Sequence, residues 1–248
     1  ADGSDPFAPR YSVCLDARKR TTISLPEIIE NAMDCGDVPS VPAPTQTVAE
    51  LRTLGSADSL APKAPSAFDW RDQAGSNWVT PVRNQSSCGS CWAFAAVGSL
   101  EAALNVLADD PGLGPNLAEE NMVASCPNIG SCGSCGGGWH SCALWAASNY
   151  GVVDEACMPY TATSSDDGDC TRRCSDWTSR LTYAPNALVD YWGTAANLKE
   201  YLVRHGPVAV ALGVNSDYGG YFDNGIYRCM DDSGVNHAVL VVGYDDPG

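Results

Sequence analysis

Basic residues are scarce in this sequence. Its 248 residues include 14 Lys plus Arg against 30 Asp plus Glu, a formal net charge of −16 at pH 7, and only three of the basic residues are lysines. Because nucleic-acid binding depends on cationic patches, this composition excludes nucleic acid as an expected partner. We interpret the excess acid as favouring solubility, with the steering of cationic substrates as the alternative.

Long apolar segments are also missing from the sequence pattern. No apolar run comes near the length that spans a bilayer, so no membrane insertion is expected. The first residues, Ala1 to Asp5, lack the basic and apolar regions of a signal peptide. Any export signal is therefore expected to have been removed or never included.

Cysteine, in contrast, is abundant, with 12 residues. This number predicts a disulfide framework and an oxidising location, secreted or extracytoplasmic, such as a periplasmic, extracellular or lysosome-like compartment. If one cysteine is a free nucleophile, an odd number remains, so at least one of the others lacks a partner within the chain.

The chain divides by composition into three parts. Residues 1–64 contain proline-rich extended stretches and are interpreted as a leader or pro-segment. A short amphipathic helix is predicted there at 25–33, and the flanking Cys14 and Cys35 could staple it. Residues 65–180 are predicted to be a mainly helical lobe and residues 181–248 a strand-rich lobe, incomplete at its end, which together make an α+β fold.

Individual elements are predicted from apolar periodicity and capping residues. The predicted helices cover 91–107, 116–123 with Asn116 as N-cap, 140–150 ended by Gly151, and 194–205; the predicted strands cover 208–214 and 238–244. The first helix is apolar nearly all round, which is typical of a buried central helix.

A cysteine in the first turn of that helix carries the chemistry. Residues 85–94 read Gln-Ser-Ser-Cys-Gly-Ser-Cys-Trp-Ala-Phe, and the helix begins at Cys91. The unpaired N–H groups and positive dipole end of a helix favour a thiolate over a thiol. Such a nucleophile needs an imidazole that protonates the leaving amine, and His237 is the candidate.

Several ordered motifs resemble the papain and cathepsin family of cysteine peptidases, from about Phe68 to the end of the sequence. They are Phe-Asp-Trp-Arg at 68–71, Cys-Gly-Ser-Cys-Trp at 88–92, Cys-Gly-Gly-Gly at 135–138 and Asn-His-Ala-Val at 236–239. His237 follows Cys91 by 146 residues (237 − 91), which agrees with the spacing in that family.

The resemblance implies a papain-like two-lobe fold, with an active-site cleft between a helical lobe and a sheet or barrel lobe. It also implies a role for Gln85, whose amide would share an oxyanion hole with the backbone N–H of Cys91. Implied substrate-binding residues are Gly137, Gly138, Trp139, His140, Ala211, Val235, Asn236 and Ala238. Implied disulfide residues are Cys88 with Cys135 as its partner, and Cys126, Cys170 and Cys174 as further candidates. No cofactor or metal is implied.

Some of these residues also allow a metal-binding, redox or purely structural interpretation. Cys88 and Cys91 could form half a zinc site with 132–135, but about forty residues separate the pairs, more than zinc ribbons use. A thioredoxin-like redox pair would need the tryptophan before the first cysteine and a βαβ context. His205 ends a helix and is interpreted as structural, whereas His140 could either tune specificity or cap a helix.

One part of the family pattern is missing. In papain-like enzymes an Asn-Ser-Trp motif follows the histidine strand, and its asparagine orients the imidazole. The sequence ends at Gly248 without that motif. Three explanations are a shortened chain, cleavage with a separate C-terminal fragment, and a natural truncation with impaired activity; the first two are favoured.

The sequence thus predicts a cysteine endopeptidase that cleaves peptide bonds through a thioester, made as a secreted zymogen. Expected partners are protein or peptide substrates, its own pro-segment or a C-terminal fragment, and a monomer is expected. The alternative is a binding or structural protein on a papain-like scaffold whose chemistry has decayed; acyl transfer to amines is a third possibility.

Overall fold

The structure is a computed structural model that describes residues 64–126, 132–164, 168–184, 195–214 and 234–246. The leader before Ala64, the helix predicted at 25–33 and the cysteines Cys14, Cys35 and Cys229 lie outside the described residues.

Four α-helices occur in the described part of the chain. They are α1 at Cys91–Ala108, α2 at Glu119–Val123, α3 at His140–Tyr150 and α4 at Ala195–His205. The bounds predicted for α1, α3 and α4 are confirmed to within one residue. Gly151, with φ of 78°, ends α3 in a conformation that side chains disfavour.

The predicted start of α2 is wrong. The helix begins at Glu119, its N-cap is Ala118, and no side chain caps it. Asn116 instead accepts a hydrogen bond from the backbone N–H of Glu155 through its carbonyl oxygen. A capping pattern in sequence cannot reveal that Glu155, 39 residues away (155 − 116), forms a backbone hydrogen bond with Asn116.

Helix α1 corrects a second expectation. Its 18 residues are long and apolar enough to cross a membrane by length and composition alone, although no such run was expected. Half of the helix is buried inside the protein, which is the position of a core helix. Packing on several sides therefore explains why it is apolar nearly all round.

Within the described ranges, six short strands form three antiparallel pairs. Strand β1 at Ala67–Asp69 pairs with β6 at Gly243–Asp245, and β2 at Gly133–Ser134 pairs with β3 at Gly137–Gly138. Strand β4 at Val208–Leu212 pairs with β5 at His237–Val241, Val208 lying opposite Val241 and Leu212 opposite His237. The single strand predicted at 238–244 is thus two strands, β5 and β6.

Two apolar cores flank the β4–β5 pair. Ala209 and Ala238 belong to a core built around α1 and α3, whereas Val210 and Val241 belong to a second core with Trp70. A third, smaller cluster surrounds Met158. Because both faces of β4 and β5 are covered, these strands read as continuous apolar runs instead of alternating ones.

Four disulfides tie the described residues together. They join Cys88 to Cys135, Cys126 to Cys170, Cys132 to Cys142, and Cys157 to Cys174. The first is the pairing that the resemblance implies. The zinc and redox-pair interpretations are wrong, because Cys88, Cys132 and Cys135 are all bonded to partners other than Cys91.

Candidate active site

Cys91 is the one free cysteine among the described residues, and it is half-buried. It is the first residue of α1, and no side-chain hydrogen bond caps this helix end. The preceding Ser90 would be the usual cap, but its hydroxyl contacts the hydroxyl of Tyr160 at 2.6 Å instead. The thiol therefore lies at a helix N-terminus whose backbone N–H groups donate to no side chain of the cap residue, so this helix end can stabilise a thiolate.

A close approach of two loops fixes the segment before Cys91. The Cys88–Cys135 disulfide joins them, and the N–H of Gly89 donates to the carbonyl of Cys135 at 2.9 Å. A Cβ at Gly89 would lie 2.6 Å from that carbonyl oxygen, so only glycine fits without a shift. The sequence motif is thus explained by contact as well as by chemistry.

The indole of Trp92 packs on the glycine-rich β2–β3 pair. Its Nε1 donates to the carbonyl of Ser134 at 3.2 Å, and a Cβ at Gly138 would lie 2.6 Å from its Cε2. Gly137 and Gly138 are exposed, so β3 forms an open backbone edge beside the helix end that carries Cys91. Such an edge can pair with an extended peptide.

Gln85 lies in the same loop as Cys88. Its side-chain Nε2 donates to the carbonyl of Cys88 at 2.8 Å, and its own carbonyl accepts from the hydroxyl of Tyr160 at 3.0 Å. A glutamine amide has two N–H donors, so one bond to Cys88 positions the group and leaves a second donor for a ligand.

Strand β5 runs in the same direction as α1. A Cβ at Gly206 would lie 3.8 Å from Ala103 Cα, in the C-terminal half of α1. Ser99, in the middle of α1, donates to the carbonyl of Pro207 at 2.8 Å, so the chain enters β4 running towards the N-terminus of the helix. Because β4 and β5 are antiparallel, the end of β5 lies at that level and His237 lies towards the N-terminus of α1.

The lengths of the two elements bring Cys91 and His237 to the same end. A Cβ at Gly98 would contact Leu240 Cδ2 at 3.4 Å, which gives a common level. Cys91 is seven residues before Gly98, a helical rise of about 10 Å, and His237 is three residues before Leu240, a strand rise of about 10 Å. Ala238 lies in the same apolar cluster against which Cys91 packs.

Burial affects the pKa of both His237 and His140. His237 is half-buried, and desolvation lowers its pKa below the usual 6.5. His140, at the start of α3, has its pKa lowered by the same cause. A neutral imidazole is therefore favoured at neutral pH unless an anion stands beside it.

The remaining implied substrate residues differ in exposure. Trp139 is 62% exposed and Val235 36% exposed, whereas Ala238 is buried and Ala211 half-buried. The Asn236 side chain bonds both backbone groups of Val214, accepting from its N–H at 2.8 Å and donating to its carbonyl at 2.7 Å. Its amide therefore braces the segment before His237.

Sequence reasoning missed Tyr160 and a group of buried carboxylates. Tyr160 gives no local signal, because its partners lie 70 and 75 residues away. Glu101 could have been suspected as the one acid inside the apolar α1, where it accepts from Thr80 Oγ1 at 2.5 Å and Leu117 N at 2.7 Å. Within the described ranges, no three His, Cys, Asp or Glu side chains are grouped to hold a metal ion.

A family model described as papain family cysteine protease matches residues 64–248. The chain belongs to the papain family of cysteine proteases. Cathepsin J of Mus musculus is 35% identical over 190 residues, covering 74% of this chain and 52% of its own length. Pro-cathepsin H of Bos taurus is 34% identical over 196 residues, covering 73% and 52%.

A solved structure shows the same fold. The digestive procathepsin L2 proteinase of Tenebrio molitor larval midgut matches with a TM-score of 0.58 and 29% identity, covering 76% of this chain and 56% of its own. The predicted papain-like α+β fold is confirmed. The chain spans about half the length of the curated papain-family relatives that it matches.

Proposed function

We propose that this papain-family protein is a cysteine peptidase that hydrolyses peptide bonds through a thioester on Cys91. The observation that carries the proposal is the free thiol at an uncapped helix N-terminus, with His237 brought to the same end by β5. Eight other described cysteines form disulfides, which leaves Cys91 as the candidate nucleophile.

Acylation needs a base, a nucleophile and a site for negative charge. His237 takes the Cys91 proton, and the thiolate forms a C–S bond to the substrate carbonyl carbon, whose π electrons move to oxygen. The Cys91 N–H and the second N–H of Gln85 stabilise this oxyanion. When the carbonyl re-forms, the C–N bond breaks and His237 gives its proton to the leaving amine.

Deacylation reverses these roles with water. His237 accepts a proton from water, the hydroxide adds to the thioester carbonyl, and the same donors stabilise the second oxyanion. Collapse breaks the C–S bond and releases a carboxylic acid, while the proton returns to Cys91. The site needs no cofactor for these steps.

The substrate class is an extended peptide. The exposed backbone of Gly137 and Gly138 offers strand-like hydrogen bonds. The small residues Ala211 and Ala238 lie opposite one another in β4 and β5, and we infer that they and Val235 favour an apolar substrate side chain. Trp139 and His140 follow β3 directly. We infer an endopeptidase, because the sequence shows no paired histidines of the kind found in an exopeptidase loop.

We further propose that residues 1–64 are a pro-segment, with a helical lobe in 65–180 and a strand-rich lobe in 181–248. In support, procathepsins are among the similar structures. The disulfides support an extracytoplasmic location, and a secreted monomer is the state that we propose.

Covalent labelling tests the nucleophile. A peptide that carries a thiol-reactive epoxide should modify the full-length protein once per chain, at Cys91, and Cys91→Ala should abolish both labelling and peptide hydrolysis. Mass spectrometry of the labelled peptide identifies the site. If the freshly reduced protein is labelled neither before nor after incubation at mildly acidic pH, the peptidase proposal is wrong and the scaffold alternative gains support.

Processing tests the pro-segment. At mildly acidic pH, we expect Cys91-dependent cleavage of the full-length protein near residues 62–65. Cleavage further along is disfavoured, because the carbonyl of Pro65 accepts from Tyr244 at 2.8 Å, the carbonyl of Ser66 accepts from Asp246, also at 2.8 Å, and β1 is paired. N-terminal sequencing measures the cut, and equal processing of Cys91→Ala would contradict self-activation.

A further inference from the structure

The hydroxyl of Tyr160 connects two segments on either side of the loop that leads to Cys91. It lies 3.0 Å from the carbonyl oxygen of Gln85 and 2.6 Å from the Oγ of Ser90. The phenol has a single proton, and the Gln85 carbonyl can only accept. Tyr160 therefore donates to Gln85, and Ser90 donates to Tyr160.

Two further contacts hold Tyr160 in place. Its ring stands edge-on against Phe94, with centroids 5.0 Å apart, and its backbone N–H donates to Glu155 Oε1 at 2.8 Å. Its partner Ser90 is fully buried. Burial raises the pKa of Tyr160, and the nearby Glu120 and Glu119 act in the same direction, so the hydroxyl stays protonated as a donor.

The two hydrogen bonds of the Tyr160 hydroxyl hold residues that carry or adjoin the two donors of the proposed oxyanion hole. Ser90 is covalently joined to Cys91, whose backbone N–H is one donor. Gln85 carries the other donor on its side chain, which Cys88 orients through its carbonyl. The distance between the two donors thus depends on how the backbones at 85 and 90 are held together.

We propose that Tyr160 is a positioning residue that sets the spacing of the two oxyanion donors, the Gln85 amide and the Cys91 N–H. The inference rests on the proposed function. Loss of a whole oxyanion donor costs roughly 100- to 1000-fold in kcat. Loss of the Tyr160 hydroxyl leaves both donors present but less well placed, so a smaller effect, roughly 10- to 100-fold, is expected.

The test compares three reactions of Cys91 in Tyr160→Phe, two that form an oxyanion and one that does not. Peptide hydrolysis and binding of a peptide aldehyde both place a negative or partly negative oxygen in the hole, whereas alkylation by iodoacetamide forms no oxyanion. We expect kcat to fall roughly 10- to 100-fold with KM little changed, aldehyde affinity to fall in parallel, and the alkylation rate to stay within about twofold.

Two further variants serve as controls. Tyr150→Phe removes a hydroxyl from a tyrosine that packs edge-on against Trp145 in α3, and should leave all three readouts unchanged. Ser90→Ala removes one of the two hydrogen bonds of the Tyr160 hydroxyl and provides a second variant if Tyr160→Phe does not fold. If the two residues act as one unit, kcat of the double variant Ser90→Ala/Tyr160→Phe should be little lower than that of Tyr160→Phe alone.

The outcomes separate the two proposals. A parent protein that neither alkylates at Cys91 nor hydrolyses peptides, before or after incubation at mildly acidic pH, overturns the proposed function, and this inference with it. An active parent in which Tyr160→Phe matches Tyr150→Phe overturns the inference alone. A parallel fall in alkylation rate and kcat also overturns it, because the tyrosine would then act on the thiol or the fold and not on the hole.

Discussion

His237 lies half-buried at the start of β5, and this position makes its charge depend on what stands beside it. Desolvation disfavours the imidazolium, whereas a thiolate at Cys91 would favour it. The resting charge of His237 therefore depends on burial, which disfavours the imidazolium, and on the charge of the Cys91 thiol, which favours it when the thiol is ionised.

The first prediction removes that anion. In Cys91→Ala the pKa of His237 should lie below 6.5, because burial acts without an opposing thiolate. Proton NMR titration of the three histidines measures this, and a His140→Gln variant removes the other histidine whose pKa burial lowers. A titration of His237 at or above 6.5 in Cys91→Ala would show that another group stabilises the imidazolium.

At the scale of elements, two glycines near α1 offer a matched test of packing. A Cβ at Gly89 would lie 2.6 Å from the carbonyl oxygen of Cys135, whereas a Cβ at Gly98 would make an ordinary contact of 3.4 Å with Leu240. The first glycine precedes the helix in the nucleophile loop, and the second lies inside the helix.

Alanine should therefore have opposite effects at these positions. Gly89→Ala should destabilise by about 1–3 kcal/mol through overpacking and should reduce Cys91 labelling. Gly98→Ala should be neutral or stabilise by up to about 1 kcal/mol, because alanine favours the helix. Denaturant unfolding of the two variants decides the matter, and equal effects would mean that the Cys135 loop yields.

The elements that sequence predicted well share a local origin. Apolar patterns in neighbouring residues predict helices α1 and α3 and the apolar strands β4 and β5, and Gly151 marks the end of α3. The missed features depend on contacts between distant segments. The Cys157–Cys174 pairing, the bond from Ser90 to Tyr160 and the use of Asn116 by Glu155 have no local signature.

The same distinction holds for the candidate site. The local motif marked Cys91 and led to His237 as the candidate base, which the resemblance supported, and the role of Gln85 came from the resemblance. That Asn236 braces Val214 follows only from the register of β4 and β5, which no single motif contains.

At the scale of the whole molecule, buried carboxylates make stability depend on pH. Glu119 is only 3% exposed, and desolvation, with help from Glu101 and Glu155, raises its pKa to about 7, while Arg83 opposes the rise. Glu101 and Glu155 have pKa values raised mainly by the same burial. The folded state is thus more stable when these carboxyl groups are protonated, because burial disfavours their charged form.

The sign of the effect follows from proton binding. Between pH 4.5 and pH 7 the folded protein holds the Glu119 proton and the unfolded chain releases it, so stability falls as pH rises through this window. The shift corresponds to about 3 kcal/mol. Glu119→Gln should be as stable as the parent near pH 4 and more stable by up to that amount near pH 7.5, as measured by urea unfolding.

A control separates this effect from general charge removal. Burial tends to raise the pKa of Asp154, but hydrogen bonds and charge from Arg180 lower it overall, so this carboxylate stays ionised from pH 4.5 to 7. Asp154→Asn should therefore shift stability by a constant amount across the window. A parent-to-Glu119→Gln difference that is equally flat would show that Glu119 is not protonated in the folded protein.

The pairing of β1 with β6 sets an order of events during synthesis. Ala67 lies opposite Asp245, a separation of 178 residues (245 − 67). At ribosomal rates of about 5–20 residues per second, β1 waits roughly 10 to 35 seconds for its partner. During that interval Phe68 and Trp70, which later pack with Tyr244, have no finished core to enter. The nascent chain therefore exposes β1, its first described strand, to aggregation until β6 has been synthesised. A preceding segment or a chaperone could shield β1 during that time.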